Sequence, residues 1–220
     1  MGSQKDEKLS QFVESKIRIW YRMHNKKGTG LMSKSEYKEM ADTFIREFRL
    51  ESEEADEIQK WLVDGWAALV EYVGNMDKKA GSSGPLARDQ ILTAVQVATA
   101  VATDMNVTED MYIRAYGEIL RLKPCPFPIY FSLMVETFFD IFDGDKDGFI
   151  TVDEMVKGLA CFGFTDTDRV KAVFKDLTMD SSDSLDRKTY VDAWLEFVQG
   201  NDREAAMAKH FTPEMVNERM

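Results

Sequence analysis

The chain has 220 residues, 44% of them apolar and 14 of them Phe, enough for one large or two small domains with a substantial buried core. A formal net charge of −11 repels phosphate backbones, so nucleic-acid binding is not expected. No run approaches the roughly 18 apolar residues of a membrane span, and the polar N-terminus lacks the apolar stretch of a signal peptide.

Met1-Gly2 opens like an N-myristoylation signal, but Asp6 stands where Ser or Thr is required, so acylation of Gly2 is not expected. The first element reads as a helix–loop–helix unit. With Asn25 as position 1 of a twelve-residue loop, Ile17, Trp20, Tyr21 and His24 fall at −8, −5, −4 and −1, one helical stripe. Gly30 falls at position 6, Met32 at 8 and Glu36 at 12, and Tyr37, Met40, Ala41 and Phe44 continue the exit helix. The polar slots are poor in oxygen: Lys27 is at position 3 and Thr29 at 5. An ammonium there repels a cation, so a metal-free scaffold loop is expected, with Lys27 neutralising Glu36; the alternative is a weak, Mg²⁺-tolerant site.

A second unit shows only in its stripes. Trp66, Leu69, Val70 and Val73 repeat the entering pattern if Gly74 is position 1, and Leu86 takes position 8 if Gln90 is position 12. The 74–90 loop then carries an insert from Asp77 to Pro85, rich in Gly and Ser, and Gln90 gives no bidentate carboxylate, so no metal is expected. Thr108, followed by Glu109 and Asp110, reads as the start of an extra helix through Tyr112, Ile119 and Leu122. Pro124, Pro126 and Pro128 end it, because three prolines in five residues exclude a helix interior. Residues 124–130 are therefore expected as a rigid linker between an N-terminal pair of units (1–123, with the extra helix) and a C-terminal pair (131–220). Cys125 and Cys161 have no metal-ligand spacing and read as free thiols of a reducing, cytoplasmic compartment.

The stretch Asp143-Gly144-Asp145-Lys146-Asp147-Gly148-Phe149-Ile150-Thr151-Val152-Asp153-Glu154 has the spacing of an EF-hand calcium loop. Ca²⁺ is a hard cation that takes six to eight oxygens. Asp143, Asp145 and Asp147 supply one each from alternate positions, Phe149 its carbonyl, and Thr151 a bound water. Glu154 closes the site with two oxygens. Gly148 takes the sharp turn, where a positive φ is costly for a residue with a Cβ. Val135, Phe138, Phe139 and Phe142 form the entering stripe, and Met155 and Leu159 the exit. Ile150 is expected to make a short β contact to a partner loop.

Thr165 and Asp166 are candidate caps of the next helix. With Thr178 at position 1, Val170, Val173, Phe174 and Leu177 lead in, Leu185 sits at 8, and Tyr190, Ala193, Trp194 and Phe197 lead out. Asp180 keeps a ligand slot, but Ser182 and Thr189 replace carboxylates, and Asp183 stands at the position-6 turn, where it tolerates positive φ. A structural role, with Leu185 paired to Ile150, is expected. An amphipathic tail with Ala206, Met207, His210 and Phe211 follows, able to fold back into a groove.

Four such units resemble the sarcoplasmic calcium-binding protein family, and within it the calexcitin-like members. The likeness rests on Trp194-Leu195-Glu196-Phe197-Val198, Asn201-Asp202-Arg203, His210-Phe211, Phe162-Gly163-Phe164, Ala172-Val173-Phe174-Lys175-Asp176-Leu177 and Leu9-Ser10-Gln11-Phe12. It implies a compact all-α fold of four EF-hands in two pairs packed face to face, and a role as calcium buffer or signalling protein. Relatives of the same fold, the luciferin-binding proteins and photoproteins, enclose an apolar ligand. This chain departs from the family in keeping one intact loop, which makes it a poor reservoir.

A monomeric Ca²⁺-binding signal modulator is therefore expected, with a protein target the sequence does not name. The alternative is a carrier of an apolar small molecule, lined by residues such as Trp20, Tyr21, Trp61, Trp66, Tyr190 and Trp194. His24 and His210 are too few for the histidine clusters by which photoproteins resemble one another. No nucleotide loop or Ser/His, Cys/His or HExxH signature is present, so an enzyme is not expected.

Overall fold

Four helix starts share one chemistry. The side chains of Ser33, Thr108, Thr151 and Asp186 each accept the backbone N–H three residues on, from Glu36, Met111, Glu154 and Thr189. Such a cap satisfies a donor that helix geometry leaves open. The residue before each cap, Met32, Val107, Ile150 or Leu185, is at most 1% exposed. This repeat of buried apolar residue, cap and helix sets the register of all four hands.

The computed structural model describes residues 9–25, 27–65, 106–121, 127–180 and 182–211. In chain order these carry α1 (Gln11–His24), β1 (Leu31–Met32), α2 (Lys34–Phe48) and α3 (Ser52–Gln59), which runs on as a π-helical turn at Lys60–Asp64. Then follow β2 (Val107–Thr108), α4 (Glu109–Arg121), α5 (Phe127–Phe142), β3 (Phe149–Thr151), α6 (Val152–Cys161), α7 (Thr167–Leu177), β4 (Ser184–Asp186), α8 (Arg187–Gln199) and α9 (Ala206–His210). Among the described residues the fold is all-α apart from two short antiparallel ladders. One joins Leu31 to Thr108 and Met32 to Val107; the other sets Ile150 opposite Leu185, as expected.

The first ladder moves the second hand. Its expected loop at 74–90, with Trp66 and Leu86, lies outside the described residues, but the strand that meets Met32 is Val107, not a residue near Leu86. Counting Val107 as position 8 makes α4 the exit helix of the second hand rather than an extra helix. The physical reason is that a helical stripe repeats every turn and does not fix register, whereas a β contact does. Tyr21 secures the junction: its hydroxyl lies 2.9 Å from Gly30 O and 2.8 Å from Val107 O. Glu109 does the same from outside, accepting from Arg18 at 2.6 Å and Arg22 at 2.9 Å.

Helix α5 begins at Phe127, inside the segment expected as linker. Pro128 is its second residue, and the first turn has no intrahelical N–H bond for proline to lose.

The halves share one core. Phe44 of α2 lies 5.3 Å from Phe138 and 4.8 Å from Phe162, ring centre to ring centre, and Trp20 of α1 lies 5.2 Å from Trp194 of α8. Cys161 is a buried thiol in no disulfide; Cys125 lies outside the described residues. The tail does fold back: Phe211 is 1% exposed and packs on Phe164 and Phe197, while Lys209 and His210 both reach Asp176 at 2.9 Å.

Lys16, 2% exposed, is a buried cation. Its Nζ donates to Gly200 O at 2.6 Å and Glu196 O at 3.2 Å, just past and within the end of α8, where exposed carbonyls attract positive charge. Burial outweighs the attraction of Glu196 and holds the ammonium down to about 8, from an ordinary 10.5. Between those values the unfolded chain carries more protons than the folded one, so this group makes stability rise with pH across the window. Lys16→Met is expected to remove that rise. Urea midpoints measured from about pH 7.5 to 9.5 check this; the same pH slope in both proteins would contradict it.

Candidate metal centre

The Asp143–Glu154 loop is shaped by its own backbone. Asp143, 4% exposed, accepts Asp147 N at 3.0 Å and Gly148 N at 2.9 Å. Asp145 accepts Asp147 N at 3.2 Å, and Asp147 accepts Phe149 N at 2.8 Å. These bonds curl the chain so that alternate side chains converge. The curl needs left-handed backbone at Lys146 (φ 60°) and Gly148 (φ 89°); the glycine adopts it freely and the lysine at a cost. Lys146 turns its ammonium outward, to Asp140 O at 2.6 Å and Glu54 of α3 at 3.1 Å.

One carboxylate oxygen each from Asp143, Asp145 and Asp147 lies within 4.8 Å of the other two. Their hydrogen bonds come from loop N–H groups, which leaves their negative charges to repel one another. An oxygen-rich, anionic pocket of this size fits a hard divalent cation. Glu154 stands at the edge of the group. Its Oε2 accepts Thr151 N at 2.8 Å and Thr151 Oγ1 at 2.7 Å, and its Oε1 accepts Gly144 N at 2.9 Å across the loop. Burial pushes its carboxyl up, but the bonds from Thr151 and Gly144 outweigh that and hold it below its ordinary value. Of the expected ligands, then, three side chains are together, and Glu154 is tethered beside them. Thr151 is engaged with Glu154, and Phe149 sits in the ladder opposite Asp186.

The other loops are built differently. In the first, Asn25 Oδ1 accepts Thr29 N at 3.2 Å, so the frame survives. Lys27 pairs with Glu39 at 2.8 Å and not with Glu36, contrary to expectation. The reason is burial: Glu36 is 9% exposed and bound to Ser33 N at 2.9 Å, while Lys27 and Glu39 meet in solvent. The second loop, in its corrected register, ends at Met111, which has no carboxylate. In the fourth, the left-handed residues are Met179 and Asp180, not Asp183. Asp180 N donates to Lys175 O at 2.9 Å and its carboxylate faces Lys175 at 3.4 Å, so it closes α7 instead of facing a cage. Thr178 Oγ1 is likewise spent on Phe174 O at 3.0 Å.

Sequence reasoning missed Gly158, on the α6 face that meets α5. A Cβ there would overlap the Phe142 ring. The Phe142 ring therefore rests directly on the α6 backbone. Alanine is favoured in helices by about 1 kcal/mol, but overpacking costs about 1–3 kcal/mol. Gly158→Ala is expected to lower the melting temperature of the Ca²⁺-free protein, as read in a thermal melt; an unchanged or raised value would contradict the close approach.

The EF-hand domain family matches residues 134–163. A sarcoplasmic calcium-binding protein of Mizuhopecten yessoensis is 28% identical over 97 residues, 44% of this chain and 54% of the relative, so the chain spans about half the length of that protein. Among solved structures, an apoaequorin complex with (S)-HM-daCTZ is similar with a TM-score of 0.63 and 14% identity, covering 96% of each chain. The Ca-loaded apo form of the coelenterazine-binding protein of Renilla muelleri gives 0.56 and 18%, covering 92% of this chain and 98% of that one. A Streptomyces coelicolor calcium-binding protein gives 0.53 and 19%, covering 86% and 99%. At these identities the likeness is one of fold. Among the described residues, no helix is long and apolar enough to cross a membrane.

Proposed function

We propose that this EF-hand chain binds one Ca²⁺ in the Asp143–Glu154 loop and acts as a cytoplasmic, monomeric signal modulator. The observation that carries the reading is the convergence of three carboxylates, from Asp143, Asp145 and Asp147, within 4.8 Å of one another. Asp143, Asp145 and Asp147 each offer one oxygen, Phe149 its carbonyl, and Thr151 a place for a water. Glu154, already anchored at the loop's edge, closes the set with two oxygens. The ion supplies a positive centre that relieves their repulsion, and a shell large enough for a bidentate Glu154 favours Ca²⁺ over Mg²⁺. One ion in a 25.2 kDa chain serves a signal better than a reservoir.

Calorimetric titration with Ca²⁺, run beside binding of a dye to exposed apolar surface, tests both parts. One equivalent bound with a rise in dye fluorescence supports the modulator. One equivalent with no dye response and a large melting shift favours a purely structural ion, and no binding removes the proposal.

A second reading, carriage of an apolar small molecule, is favoured by the aromatic contact between the halves: Trp20 meets His24 and Trp194 edge to face and Phe162 at a tilt, and His24 meets Phe162 edge to face, all within 4.4–5.8 Å. The coelenterazine-binding protein and the apoaequorin complex, whose fold it shares, are named for such a ligand. Against it, the apolar cavity beside Trp20, Tyr116, Phe131 and Phe197 measures about 10 Å³, room for about one water. Binding of an imidazopyrazinone luciferin to the purified protein, followed by tryptophan quenching, separates the two readings.

A further inference from the structure

We infer that Phe162 couples the Asp143–Glu154 loop to the N-terminal half, so that the hand pair expected to hold no metal serves as the responding half. This rests on the calcium reading above. Phe162 caps the C-terminal end of α6, whose first turn carries Glu154. It is 2% exposed, and its ring meets both halves. On its own side it lies 4.7 Å from Phe138 and 6.5 Å from Phe142; on the other it lies 4.8 Å from Phe44, 5.7 Å from His24 and 5.8 Å from Trp20.

The helix between these ends is a short lever. Phe162 lies eight residues beyond Glu154, about 12 Å of helix at 1.5 Å per residue. Gly158 sits midway, pressed on Phe142, and gives the lever a close contact about which to pivot. Two further contacts tie the same elements together: Lys157 Nζ lies 4.1 Å from the Phe48 ring centre, and Lys146 of the loop reaches Glu54 of α3. When Glu154 leaves Thr151 and Gly144 to complete the cage, α6 must shift at its first turn. A close-packed interior transmits that shift rather than absorbing it. Phe44 and Trp20 are the groups that feel it first. The coupling is reciprocal: what loosens Phe162 from Phe44 must also change the affinity of the loop. Contact alone does not establish coupling, so the test reads energy and response together.

The experiment labels the full chain with 5-fluorotryptophan and follows the Trp20 resonance, assigned by loss in Trp20→Phe, through a Ca²⁺ titration. The wild-type resonance is expected to move in step with calorimetric saturation. In Phe162→Leu the movement is expected to fall severalfold and the Ca²⁺ Kd to change at least threefold. Phe44→Leu, altered on the far side of the same contact, is expected to do the same should Phe162→Leu fail to fold. A Trp20 resonance that stays still while calorimetry shows saturation overturns the coupling and leaves the calcium site standing. Unchanged movement and Kd in a folded variant also overturn it. Absence of calorimetric binding in the wild type removes the calcium reading and the coupling with it.

Discussion

Glu154→Gln is expected to cut Ca²⁺ affinity by roughly two orders of magnitude or more, from the sensor range toward millimolar. The amide removes one negative charge and one of the two oxygens that close the shell. It also replaces an acceptor with a donor facing Gly144 N, which Glu154 Oε1 accepts at 2.9 Å. The fold should survive, because Gln serves in the N-terminal capping box almost as well as Glu. Calorimetry reads the affinity, and far-ultraviolet circular dichroism the fold. A variant that is folded and still binds one equivalent tightly would place the ion elsewhere.

Phe44→Ala carries the largest expected effect on stability, about 3–5 kcal/mol. Phe44 is 0% exposed and touches Phe48 on its own helix and Phe138, Phe142 and Phe162 across the halves. A loss of that size approaches the whole stability of an ordinary domain, about 5–15 kcal/mol. Because the ring belongs to a core shared by both halves, urea unfolding is expected to remain a single transition with a much lower midpoint. Two separate transitions, with the C-terminal one unmoved, would show that the halves have separate cores.

Much of this arrangement was legible in the sequence, for a physical reason. Most of the described entering-stripe residues are buried: Val135, Phe138, Phe139 and Phe142 are at most 3% exposed, and Ile17 and Tyr21 likewise, while Trp20 and Leu177 are half-buried. Burial on one helix face demands that spacing whether or not the loop binds metal. The third loop was equally plain, since carboxylates at alternate positions have few other uses. What failed was register in the second hand. Stripes at Trp66 to Val73 fit an entering helix, but amphipathic spacing alone fits any helix. The β contact and cap mark the register, and they were present in Val107-Thr108, matching Met32-Ser33, Ile150-Thr151 and Leu185-Asp186. Comparing those four pairs would have found it. Tertiary choices were not legible at all: that Lys27 prefers Glu39 to a buried Glu36, that Asp180 closes a helix, or that a glycine in α6 lets Phe142 approach.

Anomalous difference density of crystals grown with excess Ca²⁺ tests most directly whether one hand of the four keeps the calcium chemistry. A single peak is expected, about 2.3–2.6 Å from oxygens of Asp143, Asp145, Asp147, Phe149 and Glu154. A peak of equal height in the Asn25–Glu36 or Thr178–Thr189 loop, or none at Asp143–Glu154, would contradict it.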